Sequence, residues 1–161
     1  MQIRVGQGYD IHPLSGDPAR VLVLGGVAFD GVPGLVGHSD ADPIAHACAD
    51  AILGGAGLGD VGSNFPDTDP SLEGADSIEL LEIAAQRVSE AGWRVVNIDC
   101  TVVLEAPKVA PRRQEMQRRL SDAVGAPVTV KATRGEGLGP IGRNEGIECH
   151  AVALIQRREE H

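Results

Sequence analysis

The chain has 161 residues and a formal charge of −9, which argues against a nucleic-acid-binding protein because such proteins need clustered Lys and Arg. Hydrophobic residues make up 42% and charged residues 23% of the sequence, a globular composition rather than a disordered one. The length suits one domain, residues 1–161. Only 2% of the residues are aromatic, so aliphatic side chains must build the core, which favours an oligomer.

The cysteines and the N-terminal sequence indicate the compartment. Cys48, Cys100 and Cys149 are widely spaced among apolar residues, which favours buried reduced thiols over a metal or redox role. The N-terminus lacks the apolar core of a signal peptide, and no apolar run approaches the roughly 18 residues needed to span a membrane. We therefore expect a cytoplasmic protein with no membrane partner.

The first third of the chain is predicted to be mostly β-structure. Residues 3–12 alternate apolar and polar side chains well enough for a strand. Residues 21–31 predict two short strands around a pair of glycines.

A helix and a long polar loop are predicted next. Asp40 or Asp42 can cap a helix that begins at Pro43 and stops at Gly54 and Gly55, which places His46 one turn inside. The following stretch is rich in Gly, Pro and Asp, and connections of this length tend to be functional. We expect it to face a substrate.

The second half of the chain alternates strands with helices. Ser77 is expected to cap its first helix, which stops at Gly92. Such alternation predicts an α+β, two-layer domain in which helices cover one face of a mixed β-sheet, in the ferredoxin-like manner. The predicted elements are a helix at 77–91, a strand at 93–107, a basic helix at 109–124 and strands at 126–133 and 147–156.

Asp10 and His12 are the first candidate metal ligands. Their spacing on a strand puts both side chains on one face, where they can share an ion. His46 would complete a set of two histidines and one carboxylate, which suits zinc with a fourth position open. On its own this pattern is weak evidence for a metal site, because a single histidine on a helix is usually structural or exposed.

The surrounding sequence strengthens the prediction that Asp10, His12 and His46 form a metal site. Residues 38–70 contain two His and six Asp, of which helix capping explains only about half. Six segments stand in order: VGQGYDIHPL, HSDADPIAHACADAILGGAGLGDVGSNFPDTDP, GADS, NIDCTVV, APK and KATRGEGLGPIGRNEGI. Together they closely resemble the 2-C-methyl-D-erythritol 2,4-cyclodiphosphate synthase family over nearly the whole chain.

The resemblance implies an assembly and a reaction. The expected assembly is a homotrimer with active sites between subunits, using zinc and a second divalent ion, Mg²⁺ or Mn²⁺. The expected reaction cyclises 4-diphosphocytidyl-2-C-methyl-D-erythritol 2-phosphate to the 2,4-cyclodiphosphate with release of CMP, in non-mevalonate isoprenoid biosynthesis. The substrate phosphate is itself the nucleophile and is largely ionised at neutral pH, so no general base is required.

The resemblance also assigns roles to residues. Asp10, His12 and His46 would bind zinc. His38 would stabilise the transition state and Ser39 would bind phosphate. The sequence alone instead favours a structural role for both residues, as neighbours of the cap of the following helix. Residues expected to face the methylerythritol part are Asp60, Gly62, Phe65, Pro66, Asp67 and Asp69, which are otherwise ordinary turn residues. The cytidine diphosphate pocket would comprise Leu104, Ala106, Pro107, Lys108, Ala132, Thr133, Arg134 and Glu136.

Arg134 is the main departure from the family pattern. The family reads Ala-Thr-Thr-x-Glu where this chain has Arg134 as the third residue. Arginine can replace the missing hydroxyl with a charge-assisted contact to the diphosphate or can block the pocket, and we favour replacement. Arg143 matches a substrate-binding position near the trimer axis, where His150 stands in place of a frequent Glu.

Three functions follow from the sequence. The first is an active synthase with His38 and Arg134 in catalytic roles. The second is a catalytically impaired trimeric homologue that binds zinc and a cytidine nucleotide, because Arg134 replaces the usual Thr. The third is a general metal-dependent phosphohydrolase, which an open zinc position would permit.

Overall fold

A computed structural model describes residues 1–159. The strands are β1 (Ile3–Pro13), β2 (Leu22–Leu24), β3 (Val27–Phe29), β4 (Trp93–Val103), β5 (Val128–Thr133) and β6 (Gly146–Arg157). The main sheet has the strand order β1-β6-β4-β5, and β2 and β3 form a separate hairpin. In the main sheet only β4 and β5 pair in parallel, whereas β6 runs antiparallel to both of its neighbours.

Helices cover one face of the main sheet. The central helix, α1 (Pro43–Ala56), contacts β1, β6 and β4 on one side and α3 (Ser77–Glu90) on the other. The helix α4 (Arg113–Val124) packs on β5. Short 3₁₀ turns lie at Pro70–Leu72 and Ala110–Arg112. The helices are α1 (Pro43–Ala56), α2 (Val61–Asn64), α3 (Ser77–Glu90), α4 (Arg113–Val124) and α5 (Gly139–Gly142).

The core lies between the sheet and α1. Nearly every side chain of α1 is buried, and many of them are alanines, which let the helix lie close to its neighbours. The sheet contributes aliphatic and cysteine side chains, including Cys100 and Cys149. All three cysteines are free and buried, as expected for core thiols.

Two glycines bring β1 very close to α1. A Cβ atom at Gly6 would lie 1.8 Å from the carbonyl oxygen of Ala51, and one at Gly8 would lie 1.9 Å from that of Ala47. Real Cβ atoms do not approach backbone oxygens this closely, so only glycine allows this contact. The close approach brings the C-terminal end of β1 alongside the first turn of α1.

The mixed sheet with helices on one face is confirmed, but the ferredoxin-like connectivity is wrong. The main elements run β-α-α-β-α-β-β, and β6 lies between β1 and β4. A helical crossover carries the chain back over the sheet, so β5 enters in the same direction as β4. Sequence patterns predict the strands but do not determine which strands become neighbours.

Several predicted boundaries shift by a few residues. The first helix continues to Ala56, because Gly57 is the residue that takes the left-handed conformation (φ 74°) and closes it. Asp42, one of the two expected residues, is its N-cap. Asp76 caps α3, so Ser77 is already helical and its hydroxyl bonds elsewhere. Within residues 1–159, no helix has both the length and the apolarity required to cross a bilayer.

Gly8→Ala should destabilise the protein by about 1–3 kcal/mol, because the added methyl group must push β1 away from the backbone of α1. Urea unfolding followed by circular dichroism measures the change. Gly16→Ala is the matched control, since a Cβ there meets nothing within 4 Å, and should change the free energy of unfolding by less than about 0.5 kcal/mol. Equal stability of the two variants would contradict the packing argument.

Candidate functional site

The predicted metal ligands converge where β1 passes the first turn of α1. Asp10 and His12 lie on the helix-facing side of β1, as their spacing predicts, and His46 lies on α1. Asp10 Oδ2 is 2.7 Å from His12 Nε2 and 3.3 Å from His46 Nδ1. One ligand atom from each residue falls within 4.8 Å of the others, so the three residues form a candidate site for a divalent ion.

Two of these ligand atoms are buried without a normal partner. Asp10 Oδ2 and His12 Nε2 are close, yet within the described part of the chain neither makes a hydrogen bond of acceptable geometry. His12 Nδ1 lies 2.8 Å from the carbonyl oxygen of Val36, which can only accept, so Nδ1 carries a proton and Nε2 is free to bind a metal. Buried acceptor atoms that converge in this way fit a metal ion.

In the metal-free protein, Asp10 and His12 shift each other's pKa. Burial alone would raise the pKa of Asp10, but His12 and His46 outweigh burial, so the pKa lies below its usual value. Burial would lower the pKa of His12, but Asp10 and the Val36 carbonyl outweigh it and raise the pKa. The cluster therefore favours an ionised carboxylate beside the histidines.

Asp42 fixes the start of the helix that carries His46. This carboxylate is completely buried and accepts four backbone N–H groups, those of Gly25, Gly26, Ile44 and Ala45. Burial, followed by the nearby charge of Asp40, raises the pKa of Asp42 to about 6, whereas these N–H donors oppose the rise. One side chain thus ties the β2–β3 turn to the first turn of α1.

A cavity of about 270 Å³ opens beside the metal ligands. It contains most of the site that the sequence predicts around the metal, together with apolar residues from α2, α3 and the connecting loop. Its lining residues are His12, Gly37, His38, Ser39, His46, Val61, Phe65, Asp67, Leu72 and Leu80. Among these, Gly37, Val61, Leu72 and Leu80 were not predicted, because a glycine or an apolar residue in a loop or helix carries no signal of a site.

Backbone contacts hold the loop that closes this cavity. His38 O accepts the N–H of Gly74, and Asp40 N–H bonds to Ala75 O. His38 Nε2 lies 2.9 Å from the carbonyl oxygen of Asp69, which orients the imidazole towards the loop. The loop and the segment before α1 are therefore joined at their bases.

A second cavity of about 270 Å³ holds much of the predicted nucleotide pocket. It lies where β4 and β5 end, and it shares no lining residue with the first cavity among those described. Glu105 and Arg113 belong to it and were not predicted. Its lining residues are Leu104, Glu105, Pro107, Lys108, Val109, Ala110, Arg113, Ala132, Thr133 and Arg134.

Arg134 lines the second cavity at its solvent-exposed edge. Its side chain is 70% exposed, and Nε lies 3.7 Å from Glu105 Oε2. The other oxygen of Glu105 accepts the N–H of Gly135 at 2.6 Å, which fixes the carboxylate under the loop. The arginine therefore leaves the cavity open.

The remaining predicted residues lie outside the lining of both cavities. Asp60 caps α2 and Asp69 caps the following 3₁₀ turn, so both have structural roles. Arg143 Nε lies 2.5 Å from Glu145 Oε2. Gly62 lies in α2 and Pro66 shortly after it, both next to lining residues of the first cavity, and Ala106 and Glu136 flank the second. Their contacts to a substrate stay predictions.

A larger cavity lies elsewhere. It measures about 510 Å³ and is lined by residues from the segments 15–21 and 29–33, none of which is a predicted site residue. Its arginine, Arg20, already donates to the carbonyl oxygens of Leu35 and Ser39. Size alone therefore does not identify the functional site, and we assign it from the converging polar groups.

Comparison with known sequences identifies relatives over nearly the whole chain. The YgbB family profile matches residues 3–156. A bifunctional enzyme IspD/IspF of Anaeromyxobacter dehalogenans (strain 2CP-C) is 54% identical over 158 residues, 96% of this chain and 40% of that relative. The chain thus spans less than half the length of this bifunctional relative. The 2-C-methyl-D-erythritol 2,4-cyclodiphosphate synthase of Thermosynechococcus vestitus (strain NIES-2133 / IAM M-273 / BP-1) is 50% identical over 159 residues, 97% of this chain and 98% of that protein.

Solved structures agree with this result. The bifunctional IspDF of Campylobacter jejuni matches with a TM-score of 0.92 and 39% identity, over 98% of this chain and 43% of that one. A Plasmodium falciparum IspF in complex with CDP matches with a TM-score of 0.83 and 32% identity, over 98% and 97% of the two chains. The resemblance inferred from the motifs is confirmed: this chain belongs to the YgbB family, whose full-length relatives include 2-C-methyl-D-erythritol 2,4-cyclodiphosphate synthases.

Proposed function

We propose that this chain is an active 2-C-methyl-D-erythritol 2,4-cyclodiphosphate synthase, a phosphorus-oxygen lyase of non-mevalonate isoprenoid biosynthesis. Its substrate is 4-diphosphocytidyl-2-C-methyl-D-erythritol 2-phosphate, and its products are the 2,4-cyclodiphosphate and CMP. The observation that carries the proposal is the convergence of Asp10, His12 and His46 beside a cavity that also contains His38 and Phe65. Family membership supports the same activity.

The metal is proposed to be zinc. Two imidazole nitrogens and one carboxylate oxygen are a ligand set that zinc accepts while keeping a position open for substrate. A divalent ion bound there supplies positive charge that offsets the phosphate charge during transfer. A second divalent ion, Mg²⁺ or Mn²⁺, is proposed to accompany the substrate diphosphate.

The side chains around the cavities suit an internal attack by phosphate. The 2-phosphate has a second pKa near 6 and is largely ionised at neutral pH, so it attacks the β-phosphate without a protein base. The remaining task is to hold the reacting groups in line and to balance charge. We assign His38 and Ser39 to the phosphate that attacks, and Lys108 and Arg134 to the diphosphate of the cytidine half.

We propose that the complete active site forms between subunits of a homotrimer. The metal cavity and the proposed nucleotide cavity share no lining residue within one described chain. The face of the sheet opposite α1 exposes apolar side chains that a second copy would cover. These exposed residues are Ile3, Val5, Tyr9, Ile11 and Val152. Light scattering of the purified chain tests the trimer.

Arg134 is compatible with activity in this proposal. Its exposed position at the rim leaves room for a nucleotide, and its guanidinium can make a charge-assisted contact to phosphate in place of a threonine hydroxyl. The impaired homologue, which is the alternative function, requires the arginine to obstruct the pocket. The open cavity beside Arg134 supports the active enzyme instead.

Incubation of the purified protein with the substrate and Mg²⁺ should release CMP and produce the cyclic diphosphate, as detected by phosphorus NMR. A substrate that lacks the 2-phosphate is the matched control, and it should release no CMP because the internal nucleophile is missing. Absence of CMP from the full substrate would refute an active enzyme. CMP with a linear product would indicate a phosphohydrolase.

His12→Ala should abolish stoichiometric zinc binding and CMP formation with little change in the fold, because the side chain contributes one of three ligand atoms. Metal analysis and circular dichroism on the same sample measure both effects. His150→Ala changes an exposed histidine outside both cavities and should keep its zinc. Full zinc content in the His12 variant would disprove the ligand assignment.

Arg134→Thr should keep the rate of CMP formation within about tenfold of the wild type, or raise it, because threonine restores the hydroxyl that arginine replaces. Arg118→Thr, an exposed position on α4, controls for loss of one positive charge. The initial rates of CMP release at saturating substrate give the comparison. A collapse of the rate only in the Arg134 variant would show that arginine has a role that threonine cannot fill.

A further inference from the structure

The imidazole of His46 is held from both sides. Nδ1 points to Asp10, whereas Nε2 lies 2.8 Å from the hydroxyl of Ser77 and 3.2 Å from that of Ser39. Ser77 is 1% exposed, and its hydroxyl also contacts the carboxylate of Asp40. A carboxylate, a hydroxyl and an imidazole therefore form a chain that ends at the candidate metal position.

The protons along this chain can be assigned from the donors and acceptors available. The Ser77 hydroxyl donates its single proton to the carboxylate of Asp40. The oxygen of Ser77 then has only lone pairs to offer to His46. Its 2.8 Å contact is favourable only if His46 Nε2 carries a proton. In the neutral ring the lone pair of His46 is then on Nδ1, the atom that faces the candidate metal position. Without a metal, a second proton on Nδ1 lets the ring also donate to Asp10, and Nε2 keeps its proton in either case.

The opposite tautomer is inconsistent with these contacts. The Ser77 hydroxyl has one proton and two close partners, Asp40 and His46 Nε2. If Nε2 lacked a proton, this single proton could serve only one of them. The other contact would then join two acceptors with no hydrogen between them. Such a pair is buried and repulsive, and a buried polar group without a partner costs about 1–3 kcal/mol. The shortest contacts in the network therefore favour one tautomer.

We propose that Ser77 is a positioning residue that selects the metal-binding tautomer of His46, with Asp40 orienting the Ser77 hydroxyl. The inference rests on the proposed metal centre. Asp40 holds Ser77 twice, since its second carboxylate oxygen accepts the Ser77 N–H at 3.2 Å. Through this pair the first turn of α3 fixes a ligand that belongs to α1.

Ser39 is less suited to this task than Ser77. Its oxygen is farther from His46 Nε2 and already accepts the N–H of Ala41 at 3.2 Å. It has no carboxylate that fixes the direction of its hydroxyl proton among its described contacts. Ser77 combines the shorter contact with a fixed proton, so the two serines should differ in their effect on His46.

The tautomer is tested on the metal-free wild type by long-range proton–nitrogen NMR of the histidine rings. The expected spectrum shows His46 protonated at Nε2. A neutral ring protonated at Nδ1 alone would overturn the proposal without the need for any variant. The measurement uses no substrate, so a failure of the proposed activity leaves this result intact.

Ser77→Ala should weaken zinc binding about 10- to 100-fold, in the range seen when a partner of a metal-bound histidine is removed, and should give a mixture of His46 tautomers. Competition with a chromophoric zinc chelator measures the affinity. Ser77→Thr keeps the hydroxyl and should keep both the tautomer and most of the affinity. Ser89→Ala makes the same change near the other end of α3 and should affect neither.

A purely structural serine would give a different result. In that case Ser77→Ala would lower the melting temperature of the metal-free protein, but the His46 tautomer and the zinc affinity would stay as in the wild type. Equal loss of affinity in the Ala and Thr variants would likewise contradict a role for the hydroxyl. Failure of the wild type to bind zinc would also overturn the proposal.

Discussion

The close approach of β1 to α1 at Gly6 and Gly8 is the constraint on which the rest of the site depends. Asp10 and His12 continue the helix-facing row that these two glycines begin, so the separation set by the glycines also sets how near both ligands come to His46. Larger residues would separate strand and helix, and the three ligand atoms would no longer fit around one ion. A packing requirement in the core is therefore also a requirement of the metal centre.

Two neighbouring carboxylates, the buried Asp42 and the half-buried Asp40, organise the polar side of the site. Asp42 satisfies four backbone N–H groups and fixes the start of α1, while Asp40 fixes Ser77 at the start of α3. Both carboxylates belong to the same short segment, and their side chains bond to different elements. Burying charge is costly unless donors surround it, and here the donors are helix N-termini and a turn. The segment thus joins two helices and a hairpin around His46.

The sequence predicted those features that depend on local spacing. Alternation placed Asp10 and His12 on one face, and Pro43 after an aspartate located the helix of His46. Features that depend on distant partners were not predictable in this way. Ser77 looked like a helix cap because its partners, Asp40 and His46, lie far away in the chain. The position of Arg134 depends on its contact with Glu105. The strand order depends on how α4 crosses the sheet. Local sequence patterns contain no information on either of these.

The loop between α1 and α3 is anchored at both ends to the helix that carries His46 and to the segment before it. At its start, Leu58 N–H bonds to Leu53 and Val61 N–H to the carboxylate of Asp50; at its end, Gly74 bonds to His38. Fixed ends reduce the number of conformations that the loop can sample when no ligand is bound. Ordering around a ligand then costs less conformational entropy, so more of the interaction energy remains available as affinity.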